Sequence, residues 1–230
     1  MREILGERRT NGTNGGNGTR GEDERGRSGA LRSAALHYAR RFRWPLVPGV
    51  EAGPEGECGC PRADCVTPGA HPADPELLAA TWDPRMVSWW WMVRPRAPII
   101  LATGGRAPCA LSLPALAGAR ALHWLDREGL PAGPVVATPT RWLMLVEPYE
   151  LPQLGELLAA RDWVPSSLRF HGLGGYVPLP PSRTGAGEVG WVREPEPQGR
   201  GVVLPRTELL IDVLIEAGRS VPDAGSRLAY

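Results

Sequence analysis

The sequence contains no lysine; all 26 of its cationic side chains are arginine. That absence removes Schiff-base lysines, phosphate-loop lysines and Ser-Lys dyads, and with them several enzyme classes. Long apolar runs are missing too. None reaches the roughly 18–20 residues of a membrane-crossing helix, so no membrane partner is expected. The polar N-terminus lacks the apolar segment of a secretory signal, and a cytoplasmic location is the expectation. Net charge is almost absent, with 25 acids leaving +1. A chain without basic excess lacks the usual electrostatic footprint of a nucleic-acid binder. Four cysteines in 230 residues are too few for a disulfide-dense mini-protein. Collagen-like and coiled-coil patterns are absent as well.

What is present is apolar enough to fold. Hydrophobic residues make up 42% of the chain and nine residues are Trp, so one domain, or two small ones, can form a core. Gly and Pro are abundant, at 29 and 25. Residues 1–28 hold a Gly/Asn/Thr-rich stretch with few apolar side chains and are expected to be a disordered tail. They carry six Arg and five acids, so the remainder, residues 29–230, is formally neutral.

From Ser28 the pattern turns helical. Leu31, Ala34, Ala35, Tyr38, Ala39 and Phe42 share one face. Further helices are predicted over 75–80, 84–93, 116–128, 151–163 and 207–217, with Asp83-Pro84 as an N-cap and first-turn proline. Strands are predicted over 44–48, 98–102, 109–113 and 175–179, and a hairpin joins 135–137 to 142–146. Helices and strands interleave without strict alternation, which predicts an α+β fold with a mixed sheet and flanking helices. Trp89-Trp90-Trp91 on one helix cannot all face the same way, because successive residues turn about 100°. One or two belong in the core. His37 and His123 read as structural.

Three cysteines cluster in Cys58-Gly-Cys60-Pro-Arg-Ala-Asp-Cys65, and His71 follows within the loop 51–73. Cys58, Cys60, Cys65 and His71 form a Cys3His set of the kind that holds structural zinc. The loop has little apolar content, so a metal would supply the folding energy. A free-thiol loop and a redox pair are the alternatives. Four protein ligands leave no open position for catalysis. Cys109, in a predicted strand, reads as a small buried hydrophobe.

Several segments together resemble the N-terminal domain of bifunctional DNA primase/polymerases, in the archaeo-eukaryotic primase superfamily. They are Pro45-Leu-Val-Pro-Gly49, the Cys58–Pro72 loop, Trp89-Trp90, the strand running into Thr103-Gly104, and Gly172-Leu-Gly-Gly-Tyr-Val-Pro-Leu-Pro-Pro-Ser182. The resemblance spans residues 29–215. It implies a prim-pol fold with a small Cys/His zinc loop, and two-metal nucleotidyl transfer on DNA by paired carboxylates and a His. This chain departs at all three motifs that carry that chemistry. Anchored on Gly118, the Asp-x-Asp pair falls on Ser112 and Pro114. The His falls near Leu143, and the third acid near Ser167. No Asp or Glu occurs between Arg106 and Leu125, so a shift of register restores nothing. Without such acids, Mg or Mn is not expected at the catalytic position. Asp126, Glu128 and Asp162 read as solvated helix charges.

The expectation is therefore a primase/polymerase-like domain without nucleotidyl transfer and with no catalytic residue. Nucleotide or nucleic-acid binding is retained at most, through Arg169, His171 and Arg183, the basic residues beside the Gly-Gly-Tyr segment. Gly172, Gly174 and Gly175 read either as a phosphate-approaching backbone or as a plain turn. Two alternatives stay open: a protein-interaction or regulatory module serving a replication or regulatory protein, and an active polymerase with relocated metal ligands.

Overall fold

The computed structural model describes residues 18–199 and 201–220. Helix α1 (Gly18–His37) continues into a π-helical turn, Tyr38–Phe42. It begins ten residues before the expected start at Ser28. Once a turn is nucleated, each added residue gains a hydrogen bond, so the helix extends into a polar segment without needing a core. Residues 1–17 of the expected tail lie outside the described residues. The anticipated face is buried at Leu31, Ala35, Tyr38, Ala39 and Phe42.

Strand β1 (Leu46–Pro48) pairs with β2 (Ile99–Ala102). Between them lie the Cys/His loop and helix α2 (Pro84–Val93). Asp83 caps α2 as expected, accepting a hydrogen bond from Arg85 N at 2.7 Å. Trp90 and Trp91 are buried while Trp89 is exposed. The helix expected over 75–80 shrinks to a 3₁₀ turn, Leu77–Ala79. Thr81 is drawn instead into a two-bond backbone pair with Leu46.

The remaining elements are β3 (Cys109–Pro114), α3 (Ala115–Arg127), β4 (Val135–Ala137), β5 (Arg141–Val146), α4 (Leu151–Ala159), β6 (Arg169–His171) and β7 (Tyr176–Leu179). Short strands β8 (Arg183–Thr184), β9 (Gly187–Glu188), β10 (Gly190–Arg193), β11 (Pro197–Gln198) and β12 (Gly201–Val202) follow, and α5 (Thr207–Arg219) closes the order. Helix α4 stops at Ala159, four residues short of the expected Trp163.

Two sheets organise these strands, in the orders β1-β2-β7 and β10-β4-β5-β3-β6, and every neighbouring pair in them is antiparallel. This is the mixed α+β architecture read from the sequence. Period-two alternation sorts the central sheet. Leu111 and Leu113 of β3, Met144 and Val146 of β5, and Phe170 of β6 pack towards α3 and α5. Ala110, Leu143 and Leu145 face the opposite side, where α1 and α2 pack. Gly118 permits the close α3–β5 approach, because a Cβ there would lie 2.6 Å from the Trp142 Cβ. Alternation also places Ser112, Arg141, Leu143, Arg169 and His171 on the second face, away from α3 and α5. Among the described residues, no helix is long and apolar enough to cross a membrane.

Candidate functional site

The Cys/His loop brings its four candidate ligands together. Ligand atoms of Cys58, Cys60, Cys65 and His71 all lie within 4.8 Å of one another. His71 Nε2 is 3.3 Å from Cys58 Sγ and 3.4 Å from Cys65 Sγ. Thiolate and imidazole ligands of one tetrahedral zinc sit about 3.5 Å apart, so the spacing fits that ion. His71 Nδ1 lies 2.8 Å from the Pro72 carbonyl. Donation there leaves Nε2 as the ligand nitrogen.

The thiols are electrostatically unequal. Burial opposes ionisation of Cys58, but hydrogen bonds from the Gly69 and Cys60 backbone and contact with His71 outweigh it and bring the thiol down to about 6. Burial, together with the neighbouring sulfurs of Cys58 and Cys60, pushes Cys65 up to about 11. A bound dication would favour the thiolate at every position. Zinc would here be structural, with all four positions filled by protein. Cys109 is fully buried in β3, as expected of a small hydrophobe.

The second site is a cleft of about 240 Å³ between the central sheet and this loop. Ser112, Arg141, Leu143, Arg169 and His171 form its floor, and Val66, Thr67, Pro68 and Ala70 form a wall. Those four wall residues lie between the ligands Cys65 and His71. The loop is locked to the β8–β9 hairpin by Gly185 N donating to Pro68 O at 2.8 Å. Gly69 has φ +71°, and a Cβ there would lie 2.9 Å from Thr184 Cα. Glycine satisfies both constraints at once.

Arg141 organises the floor. Its guanidinium donates to the Ser112 carbonyl at 2.7 Å, to Ser112 Oγ at 3.1 and 3.2 Å, and to the Ser167 carbonyl at 2.7 Å. Ser112 and the neighbourhood of Ser167 are where the resemblance implies the first and third carboxylates. An arginine therefore bridges the two places from which metal-binding acids would have to reach. Among the described residues, no Asp or Glu lines the cleft. Hard divalent cations need clustered oxygen ligands, typically carboxylates, and a pair of guanidiniums does not fit them.

His171 Nε2 lies 3.1 Å from Ser112 Oγ. Burial, then the charges of Arg141 and Arg169, holds this imidazole down to about 4. It is therefore neutral at pH 7, and Nε2 accepts the Ser112 proton. Arg169 is partly buried beside it. Within the described residues its side chain has no hydrogen-bond or ion-pair partner.

Of the three basic residues singled out from the sequence, Arg169 and His171 converge on the cleft. Arg183 does not line it; the side chain is exposed on β8, and its neighbour Thr184 lines the cleft instead. The Gly172–Gly175 segment is a turn, with Gly175 N donating to Gly172 O at 2.9 Å and Thr103 Oγ1 to the same carbonyl at 2.7 Å. Arg94 and Arg96 pair with Asp74 and Glu51, and Arg41 donates to Gly199 O. Asp126 pairs with Arg193 on the surface. Sequence reasoning missed Arg141. Its signal was the alternation of β5, which puts residue 141 on the same face as Leu143.

The family model for bifunctional DNA primase/polymerase, N-terminal, matches residues 35–206. Searches of curated proteins and of solved structures return no match.

Proposed function

The chain belongs to the bifunctional DNA primase/polymerase N-terminal family, and on that premise we propose that this member binds nucleotide or nucleic-acid phosphate without two-metal nucleotidyl transfer. One observation carries the reading: the Arg141 guanidinium is hydrogen-bonded between Ser112 and Ser167. In a two-metal site those positions supply negative charge to cations, which clamp the attacking and leaving oxygens. Here the cation is a side chain, fixed by hydrogen bonds to neutral carbonyls. It can attract a phosphate, but it cannot lower the pKa of a 3′-hydroxyl as a metal does. Arg169 adds a second positive charge, and Thr138, Thr140 and Thr184 add hydroxyls around the opening.

The test follows extension and retention together. Zinc-loaded protein is incubated with labelled dNTP and primed template in Mn²⁺, at low and high salt. Salt-sensitive retention without extension is the expected result. Extension would overturn the proposal. Absence of both favours a second reading, an interaction module on the same fold. That reading draws on exposed Met86, Trp89, Met92 and Val93 along α2, with Trp82 just before it.

A further inference from the structure

We propose that α2 is the docking face for a second copy of this chain, the two helices packing antiparallel about a two-fold axis at Trp89. The inference does not rest on the phosphate reading, and no residue of α2 lines the cleft.

Successive helical residues turn about 100°, so exposed Arg85, Met86, Trp89, Met92 and Val93 share an arc of roughly 120° centred on Trp89. Val87, Trp90 and Trp91 on the other side are buried. The Trp91 ring N–H donates to the Ala97 carbonyl at 2.9 Å, and Arg32 of α1 donates to Ser88 Oγ at 2.6 Å. The exposed face therefore stands on a fixed base and needs no ordering when it is covered. Met86 and Met92 lie at equal spacing on either side of Trp89. A two-fold perpendicular to the helix at Trp89 sets that ring on its own copy and Met86 on Met92 of the second copy. Each exposed apolar position meets another, which is the self-complementarity that an isologous interface requires.

The uncovered area is large enough for such a pairing. Met86, Trp89, Met92 and Val93 are 44%, 49%, 59% and 49% exposed, and Trp82, just before the helix, is 44% exposed. Their uncovered surface is on the order of 500 Å², as much as the largest apolar patch on a typical monomer. With the rim added, it approaches the roughly 800 Å² that each partner contributes to a standard interface. Trp, Met and Arg are also the residue types in which such interfaces are enriched.

Charge selects the occupant and the direction. Asp83 caps the start of α2, and Arg94 and Arg96 stand at and just past its end. Antiparallel packing brings Asp83 towards the arginines of the second copy and opposes the two helix dipoles. Parallel packing would set like charge on like. Within the chain Arg94 and Arg96 meet Asp74 and Glu51, so the rim carries both signs. A polyanion or an anionic lipid surface calls for a basic rim alone. At a net charge of +1, the whole chain does not repel its copy from a distance.

Sedimentation velocity of zinc-loaded full-length protein over about 1–100 µM tests the proposal. A reversible monomer–dimer equilibrium with a micromolar Kd is expected. Trp89→Glu sets two like charges at the axis and should raise that Kd about a hundredfold, with the far-UV circular dichroism unchanged. Met86→Lys and Met92→Glu should each weaken association about tenfold, and the double variant should recover most of the loss, because the antiparallel register sets Lys against Glu. If Trp89→Glu loses helical signal, this pair of substitutions decides. A double variant that associates more weakly than either single one overturns the antiparallel register. A dimer indifferent to a folded Trp89→Glu overturns the interface. A chain that is monomeric throughout overturns it too, whether or not it then binds phosphatidylserine vesicles.

Discussion

The metal loop and the sheet cleft share a wall, Val66 to Pro68, yet their chemistries are opposite. On one side of that wall three thiols and an imidazole converge and invite a cation. On the other, two guanidiniums line a space without a carboxylate and invite an anion. The difference reflects what each site does for the fold. The loop buries little apolar surface, so a metal held by its four candidate ligands would supply folding energy. The cleft floor belongs to a sheet already held by two apolar clusters. Paired carboxylates without a metal repel each other. The Ser112–Arg141–Ser167 network removes that repulsion and satisfies its own polar groups.

If this contrast is right, breaking the loop has the largest effect. Cys65→Ser should lower bound zinc from one per chain to below about 0.2, measured by plasma emission on protein never exposed to chelator. Stability should fall by about 3 kcal/mol, a shift of roughly 10 °C in melting temperature. Because the wall goes with the loop, phosphate binding should weaken in the same variant. Binding that survives loss of zinc would separate the two regions that the geometry joins.

The next test attacks the cleft. Arg141→Ala removes the donors to the Ser112 and Ser167 carbonyls and one partner of the Ser112 hydroxyl, which keeps His171, at a cost of about 2–4 kcal/mol in urea unfolding. Ser112→Asp asks whether an acid alone rebuilds a metal site. With Arg141 in place the new carboxylate should form an ion pair instead. Mn²⁺ binding should stay undetectable by calorimetry, and no extension should appear. Extension by Ser112→Asp would show the site to be one substitution from activity.

The pH dependence tests the cleft without changing its sequence. His171 is held near 4 in the fold, against about 6.5 when unfolded. The unfolded chain therefore binds the extra proton between those values. Stability from this group is complete above about pH 6.5 and is lost as pH falls towards 4, by at most about 3 kcal/mol. In His171→Asn the fall in denaturation midpoint across that window should flatten. An unchanged slope would show that the imidazole is not held neutral.

The sequence revealed the loop better than the cleft, for a physical reason. Metal ligands are recognisable residue types at short spacing, so Cys58, Cys60, Cys65 and His71 could be named before any geometry. The helix face of α1 and the cap at Asp83 were equally legible, being local patterns. The cleft is assembled from β3, β5 and β6, whose residues lie up to 59 positions apart, as between Ser112 and His171. Arg141 reads as an ordinary strand-edge arginine until the register sets Pro114 opposite it and Arg169 opposite Ser112. Three-residue β6 gives too short a pattern to announce a strand, and Arg183 looked equivalent to Arg169 until β8 turned it outward. What the sequence did show about the cleft was an absence: no acids over the span where a pair was needed.

The smallest expected effect on stability belongs to Arg169, and that makes it the sharpest probe. Its side chain supports no hydrogen bond within the described fold, so Arg169→Ala should change unfolding free energy by less than about 0.5 kcal/mol. Removing its charge also relieves its repulsion of Arg141 and of a protonating His171, so the imidazole should titrate slightly higher in the variant, readable by proton NMR of the His171 ring. Phosphate affinity should nevertheless fall about tenfold, since a charge-assisted contact is worth roughly 1.5–3 kcal/mol. A residue whose loss barely moves stability but costs a decade of affinity serves a ligand, whereas one that moves both serves the fold. Arg141 should fall in the second group and Arg169 in the first. If Arg169→Ala destabilises the protein while binding is unchanged, the cleft's positive charge is internal scaffolding, and its opposition to the cation-seeking loop disappears.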